Sequence, residues 1–339
     1  MNRIALIAAT ALAVLPASGN IAVADKFYEG KSVDFIIGGN AGAGYDAYAR
    51  MLMRHMGRHI PGSPTFVARN MPGAGGSIAA AWLANVAPRD GSTLGAIYPG
   101  SIMNPLLQPD RKFTYDPVKF AYLGSADSTV SVCATYHTSP VKTYEDARRI
   151  DAIIGGSPGS PAEYAFLHQR AGNLKIKIVP GYKGTTDIFL AMERGEVAGF
   201  CGVSWSSINA QRPDWIRDGK FNFIAHDSVD PDPELTKLGA PHSLGLIKDP
   251  RERAAAELIF SQQVFGRPYV APPGTPENRV ALLRSAFTAT MKDEAFLADA
   301  KKARLIIEPT SGARMEELIR RAYSAPKDVV ARATQLIAQ

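Results

Sequence analysis

The feature that most constrains this chain is a unit repeated along it: a short apolar strand, a glycine-rich loop, then a helix. Residues 33–37 form a β-branched, apolar run that leads into the loop 38–44 and helical spacing over 46–56. The same order recurs with the strand 65–68, the loop 70–77 and the helix 78–86, and another strand follows at 93–98. It returns at 152–154, 155–161 and 163–172, and once more at 176–180, 182–184 and 186–194. Residues 130–136 and 197–203 read as further strands. Strands alternating with helices predict an α/β fold built on mainly parallel sheets. The last third breaks the pattern. Pro231, Pro233, Pro241 and Pro250 make 231–250 loop-rich, and the proline-rich stop at 272–276 precedes helices at 277–291, 294–303 and 311–324 and a short terminal one. Such a run of helices predicts a C-terminal segment that packs back onto an earlier sheet.

Composition sets limits rather than a function. With 339 residues, 46% hydrophobic and 21% charged, the chain can form two domains that each bury a core. Disordered, collagen-like and coiled-coil readings fall away. The net charge of +6, from 38 Lys and Arg against 32 Asp and Glu, is spread without a block of like charges. No nucleic-acid partner is therefore expected, and an anionic ligand is only mildly favoured.

Residues 1–24 read as a secretory signal. Arg3 begins it, 4–15 form its apolar run, and Ala22-Val23-Ala24 offers a small-x-small cleavage site before Asp25. The expectation is cleavage after Ala24 and an exported, soluble product. No Cys stands at the cleavage point, which argues against a lipid anchor, and no later stretch reaches about 18 apolar residues. Export puts the two cysteines, Cys133 and Cys201, in an oxidising compartment. They read either as a disulfide or as two free, buried thiols. No histidine lies at ligand spacing from them, so no metal site and no cofactor is expected.

Glycine-rich loops between strand and helix aim unpaired backbone N–H groups at the helix start, where the dipole also favours negative charge. In parallel α/β sheets they gather at the carboxyl ends of the strands. The loops 38–46, 70–77 and 155–163 therefore point to one cleft that takes a carboxylate or another small anion. Two sharper motifs fail. Gly42, Gly44 and Ala47 fit a dinucleotide fingerprint, but Phe66-Val67-Ala68-Arg69-Asn70 lacks the acid it requires. Gly155-Gly156-Ser157-Pro158-Gly159 fits a nucleophile elbow, so the alternative function is a secreted α/β hydrolase or esterase with Ser157 as nucleophile and His226 or His242 as base. Against it, Pro158 has no N–H for the oxyanion hole. His55 and His59 stand four apart without the Glu of a zinc-protease helix, and the other histidines are scattered.

Several segments recur in a fixed order along nearly all of the chain beyond residue 24. They are Phe27-Tyr28 with Lys31, the loop from Ala41 to Asp46 with Ala49-Arg50, and Asn70-Met71-Pro72-Gly73-Ala74-Gly75-Gly76. Then come 87–94, Val179-Pro180-Gly181-Tyr182-Lys183-Gly184, Gly195-Glu196-Val197 and 271–276. In this order the chain resembles the periplasmic substrate-binding receptors of tripartite tricarboxylate transporters, the Bug-type proteins. The resemblance implies a type II periplasmic-binding-protein fold, α/β, with two lobes joined by crossing strands. Lobe 1 is expected at 25–125 plus 266–339 and lobe 2 at 126–265. It also implies a periplasmic, monomeric receptor without catalysis. Such a receptor captures a small organic anion in the cleft through backbone amides and bridging waters, then docks on membrane permease subunits.

Residue by residue, the resemblance places Ala41, Gly42, Ala43, Gly44, Tyr45 and Asp46 in the first binding loop. Ser77 stands at a position often Asn in the family. Ser157, Gly159, Ser160 and Glu163 fall in the second-lobe loop, and Cys201 with Ser204 after the Gly-Glu-Val strand. Departures matter too. Ala43 replaces one of the paired glycines, and Pro158 and Pro161 remove two amide donors. Glu163 in the cleft would repel a second ligand carboxylate, favouring a monocarboxylate or one bearing a hydroxyl or amine. Tyr45 and Tyr164 could meet an aromatic acid. Mono- and dicarboxylates both remain open.

Overall fold

The computed structural model describes residues 26–338 except Ala43, Pro158, Gly159 and Lys183. Residues 1–24, read above as a secretory signal, thus lie outside the described residues. The strands are β1 (Ser32–Ile37), β2 (Thr65–Asn70), β3 (Thr93–Ala96), β4 (Ala121–Ser125), β5 (Ser131–Tyr136), β6 (Ala152–Gly155), β7 (Ile176–Val179), β8 (Gly199–Ser204), β9 (Phe221–Asp227), β10 (Pro268–Ala271) and β11 (Thr310–Ser311). They form two sheets, β11-β4-β10-β3-β1-β2 and β7-β6-β8-β5-β9. Each is the floor of one lobe.

The first sheet grows around β1, whose Val33, Phe35, Ile36 and Ile37 are all fully buried. Broken only by the half-buried Asp34, which pairs with Arg69, this apolar run suits a strand covered on both faces. Val33, Phe35 and Ile37 pack with Tyr269, Phe287 and Phe296, while Ile36 packs on the other side with Leu83, Ile97 and Ile102. Helices Glu277–Thr290 and Glu294–Lys302 supply Phe287 and Phe296, so the C-terminal segment does return to this sheet.

The sheets are mixed rather than mainly parallel. β1 pairs in parallel with β2 and β3, and β6 with β7 and β8, but β10 is antiparallel to β3 and β4, and β5 to β8 and β9. The cause is the excursion of the chain between lobes. It leaves the first sheet at the end of β4, enters the second at β5, and returns into β10 at the edge it left. A strand that re-enters at its neighbour's exit must run the opposite way. The segments 126–130 and 261–267 cross side by side, tied by Ala126 N to Arg267 O (3.1 Å) and Thr129 N to Gln263 O (3.0 Å).

The terminal helix Lys327–Ile337 is longer than expected and packs chiefly on other helices. It packs on helices Pro250–Phe260, Pro99–Leu107 and Ser160–Arg170, and so touches both lobes. Arg170 Nη1 donates to the carbonyls of Gln335 (2.6 Å), Leu336 (3.0 Å) and Ala338 (2.7 Å), satisfying its open C-terminal end. Among the described residues no helix is long and apolar enough to cross a membrane.

Candidate functional site

The carboxyl ends of β1, β2, β3, β6, β7 and β8 all lie on the sheet edges from which the crossing segments run, so the strand-to-helix loops of both lobes flank one hinge.

On the first lobe, the loop after β1 is organised by Asp46, 3% exposed on the helix Gly44–Met56. Its carboxylate accepts from Gly42 N (2.8 Å), Asn70 Nδ2 (2.9 Å) and Arg50 Nε (2.9 Å). Burial alone would raise its pKa, but the donors from Arg50, Gly42 and Asn70 outweigh burial and hold it below the ordinary carboxylate value. Asn70 also donates to Gly39 O (2.9 Å) and accepts from Arg50 Nη2 (2.9 Å). Asp46 is thus saturated by the protein and acts as the clasp of the loop. Ala41, Gly42 and Gly44 are exposed; Ala43 lies outside the described residues.

Next to this loop, Gly76 has φ +86° and precedes helix Ser77–Asn85. A Cβ there would stand 2.5 Å from a Tyr98 ring carbon and 2.9 Å from Ser101 Oγ, so only glycine lets the loop pass. The Ser77 hydroxyl turns back to accept from Tyr115 (3.3 Å).

Tyr45 faces the hinge. Its hydroxyl donates to Gly266 O (2.9 Å), its ring meets Tyr98 at 3.8 Å, and the Arg267 guanidinium covers it at 4.4 Å. Burial pushes its pKa up to about 12, so it is a neutral phenol. Sequence reasoning missed Tyr98, Arg267 and Asp127, because they become neighbours only when the chain crosses back.

Asp127 lies on the outgoing crossing segment and is 9% exposed. Burial pushes its carboxyl up to about 6, with Arg267 pulling it down and Glu308 pushing it up. A native pKa above the unfolded value means that the buried charge costs stability above pH 6, a cost relieved as pH falls toward 4. Asp127→Asn should therefore raise stability at pH 7.5 by up to about 3 kcal/mol and leave it unchanged at pH 4. Urea midpoints at the two pH values check this.

On the second lobe, β6 ends at Gly155, and Gly156 N bonds Val179 O (2.9 Å). Ser157 follows, buried, with a hydroxyl that has no hydrogen bond among the described residues. Helix Ser160–Arg170 starts at Ser160; Gly159 and Pro158 lie outside the described residues. Glu163, in its first turn, is half-buried and has no ion pair or hydrogen bond among the described residues. Burial raises its carboxyl pKa. At the end of β8, Ser204 Oγ donates to Ser207 Oγ (2.7 Å), accepts from Ser206 Oγ (3.3 Å) and caps helix Trp205–Gln211.

Two expectations are corrected. Cys201 is fully buried, bonded to Cys133 within the core of the second lobe, and three residues, about 10 Å, back from the end of β8. It does not reach the cleft; Ser204 occupies the strand end instead. Tyr164 is 1% exposed and packs on Phe260 (5.3 Å between rings), so it offers no ring face to a ligand.

The hydrolase alternative needed a base at Ser157. His226 Nδ1 pairs with Ala240 O (2.9 Å) and its Nε2 accepts from Asp232 N (3.1 Å), while His242 Nε2 pairs with Ser228 O (2.8 Å). Both rings are engaged away from Ser157.

Two mixed sheets, crossing segments between them and loops turned toward the hinge define a two-lobed periplasmic-binding-protein fold. Within that class, the chain has the fold of the tripartite tricarboxylate-type solute-binding proteins, the TctC and Bug proteins. A TctC solute-binding protein from Polaromonas superposes with TM-score 0.70 at 18% identity, covering 91% of this chain and 99% of that one. MatC from Rhodopseudomonas palustris, solved with bound malate, superposes with TM-score 0.53 at 19% identity over 91% and 99%. In sequence, the chain is 28% identical over 293 residues to the "UPF0065 protein in gbd 5'region" of Cupriavidus necator, covering 84% of this chain and 80% of that protein. No family profile matches the chain.

Proposed function

We propose that this protein is a periplasmic receptor that captures a small organic acid and delivers it to the permease subunits of a tripartite tricarboxylate-type transporter. Its lobes are 25–125 plus 266–339 and 126–265, and it works as a monomer without catalysis. The observation that carries the reading is the pre-built loop 38–46. Asp46 takes the Gly42 amide and, with Asn70, braces the loop from behind, so that among the described residues the amides of Ala41 and Gly44 are left to meet an anion. Ligand contacts with both lobes would shift the population toward a closed state. The malate bound to the structurally similar MatC supports a carboxylate.

Glu163 sets the finer choice. A half-buried carboxylate with no ion pair among the described residues opposes a second negative charge and accepts from a hydroxyl or ammonium. The preferred ligand is then a monocarboxylate with a donor at its far end.

A thermal-shift series on residues 25–339 with mono-, di-, tri- and aromatic carboxylates tests both levels. A true ligand at 100 times its Kd stabilises by about 2.7 kcal/mol. Glu163→Gln should strengthen dicarboxylate binding about tenfold, or about 1.4 kcal/mol, and leave monocarboxylates nearly unchanged. No shift with any acid would overturn the receptor reading; equal gains for all acids would overturn the role of Glu163 alone.

A further inference from the structure

The interior of the second lobe contains a group that the cleft does not use. β5 and β8 pair through a bulge, where Val132 faces Val203 and Ala134 faces Phe200, so Cys133 stands opposite Cys201 and Gly202. Helix Ser160–Arg170 lies over these strands and brings His168 to the pair. One ligand atom from each of Cys133, Cys201 and His168 lies within 4.8 Å of the others. All three side chains are at most 1% exposed. Sequence spacing concealed this, because His168 lies midway between the cysteines in the chain.

The histidine is already dressed as a metal ligand. Its Nε2 lies 3.0 Å and 3.2 Å from the two oxygens of Asp227, itself fully buried. Facing a carboxylate acceptor, the neutral imidazole places its proton on Nε2, which leaves the Nδ1 lone pair for a metal. The Tyr144 hydroxyl stands on Nδ1 at 3.2 Å. A carboxylate behind an imidazole fixes tautomer and ring and raises ligand basicity. Two sulfurs and one such imidazole suit a borderline-soft cation that accepts tetrahedral S and N donors.

We infer that in its dithiol state the second lobe is a Zn²⁺ site, with Cys133, Cys201 and His168 as ligands and Asp227 as the positioning residue behind His168. Tyr144 provides the oxygen nearest Nδ1. In the oxidised chain the two sulfurs are bonded to each other and carry no thiolate charge, so disulfide and metal are alternative closures of one cross-strand position. The conversion needs a dithiol reductant. It passes two electrons and two protons to the S–S bond and itself becomes a disulfide, leaving two thiols. Zn²⁺ binding then releases those two protons to solvent, and the metal's charge balances the two thiolates. Because the site is sealed, loading accompanies folding, as an exported chain would meet it before oxidation.

The test uses residues 25–339, unfolded in urea, reduced with dithiothreitol and desalted without oxygen. The chain is then refolded with and without one equivalent of Zn²⁺, or of Co²⁺ as the spectroscopic probe. One metal per reduced chain, a Co²⁺–thiolate charge-transfer band, a higher Tm than the metal-free reduced form and no uptake by the oxidised form are expected. Asp227→Asn should weaken uptake about 10- to 100-fold, and His168→Gln should remove the tight site. A reduced chain that folds only with metal also supports the site. A reduced chain that folds but takes up no metal, a chain that folds with neither, or stoichiometric uptake that survives Cys133→Ala with Cys201→Ala would overturn it.

Discussion

Asp46→Ala should lower stability by about 3 kcal/mol and weaken carboxylate binding at least tenfold. The Arg50 guanidinium is 43% exposed, so its Coulombic share is screened and small. The cost comes from the donors left behind. Gly42 N and the Asn70 amide both lose a buried acceptor, and Asn70 is the residue that ties β2 to the loop after β1 through Gly39 O. Asp46→Asn should fare little better, since its NH2 group would face donors. The pH dependence distinguishes this account from general loosening. A carboxyl held below its ordinary pKa contributes fully above about pH 4 and loses that contribution as pH falls through the native value. The gap between wild type and Asp46→Ala should therefore stay constant from neutrality to about pH 4 and close only below it. Urea midpoints across pH give the stability, and calorimetric titration at neutral pH gives the affinity. An intact affinity in a destabilised variant would mean that the loop is held by its glycines alone.

The sequence made some parts of this fold plain because they are local. β1 could be found from Val33, Phe35, Ile36 and Ile37, since a strand buried on both faces has to be mostly apolar, here with Asp34 as its one polar interruption after Ser32. The helices after the glycine loops could be found from their spacing and starts. The mixed topology could not. β10 is four residues long and begins with Pro268, and its direction is set by the return of the chain from the other lobe rather than by any residue in it. The site divides in the same way. The loop 38–46 was visible through its glycines, whereas the clasp on it needs Asp46, Arg50 and Asn70 brought together from a helix and a neighbouring strand. Cys201 was misplaced because the pattern after Gly195-Glu196-Val197 locates a strand but not how far along it the cleft begins. His168 carries no signal beside either cysteine, since a helix packing on a sheet makes neighbours that spacing along the chain does not encode.

Breaking the Cys133–Cys201 link, by reduction or by Cys133→Ala with Cys201→Ala, should lower stability by about 4 kcal/mol. The pair is separated by 68 residues and closes a loop holding β6, β7 and three helices of the second lobe. On the chain-entropy account, a loop of that length restricts the unfolded state by about 4 kcal/mol. The native cost of removal is small by comparison, because Ala at both positions leaves no polar atom in the core formed with Ile154, Ile176 and Ile224. The effect belongs to one lobe. Both bonded strands lie in the second sheet, so its transition should fall by on the order of 10 °C while the first lobe, whose core contains neither cysteine, melts nearly as before. Differential scanning calorimetry of oxidised, reduced and double-alanine protein resolves this as a splitting of the transition. A loss below about 1 kcal/mol would show that the unfolded second lobe already keeps residues 133 and 201 close, so that the bond has little freedom left to remove. Added Zn²⁺ should restore the lost stability in the reduced chain and not in the alanine variant, which ties the size of the disulfide's contribution to the same three side chains that would bind the metal.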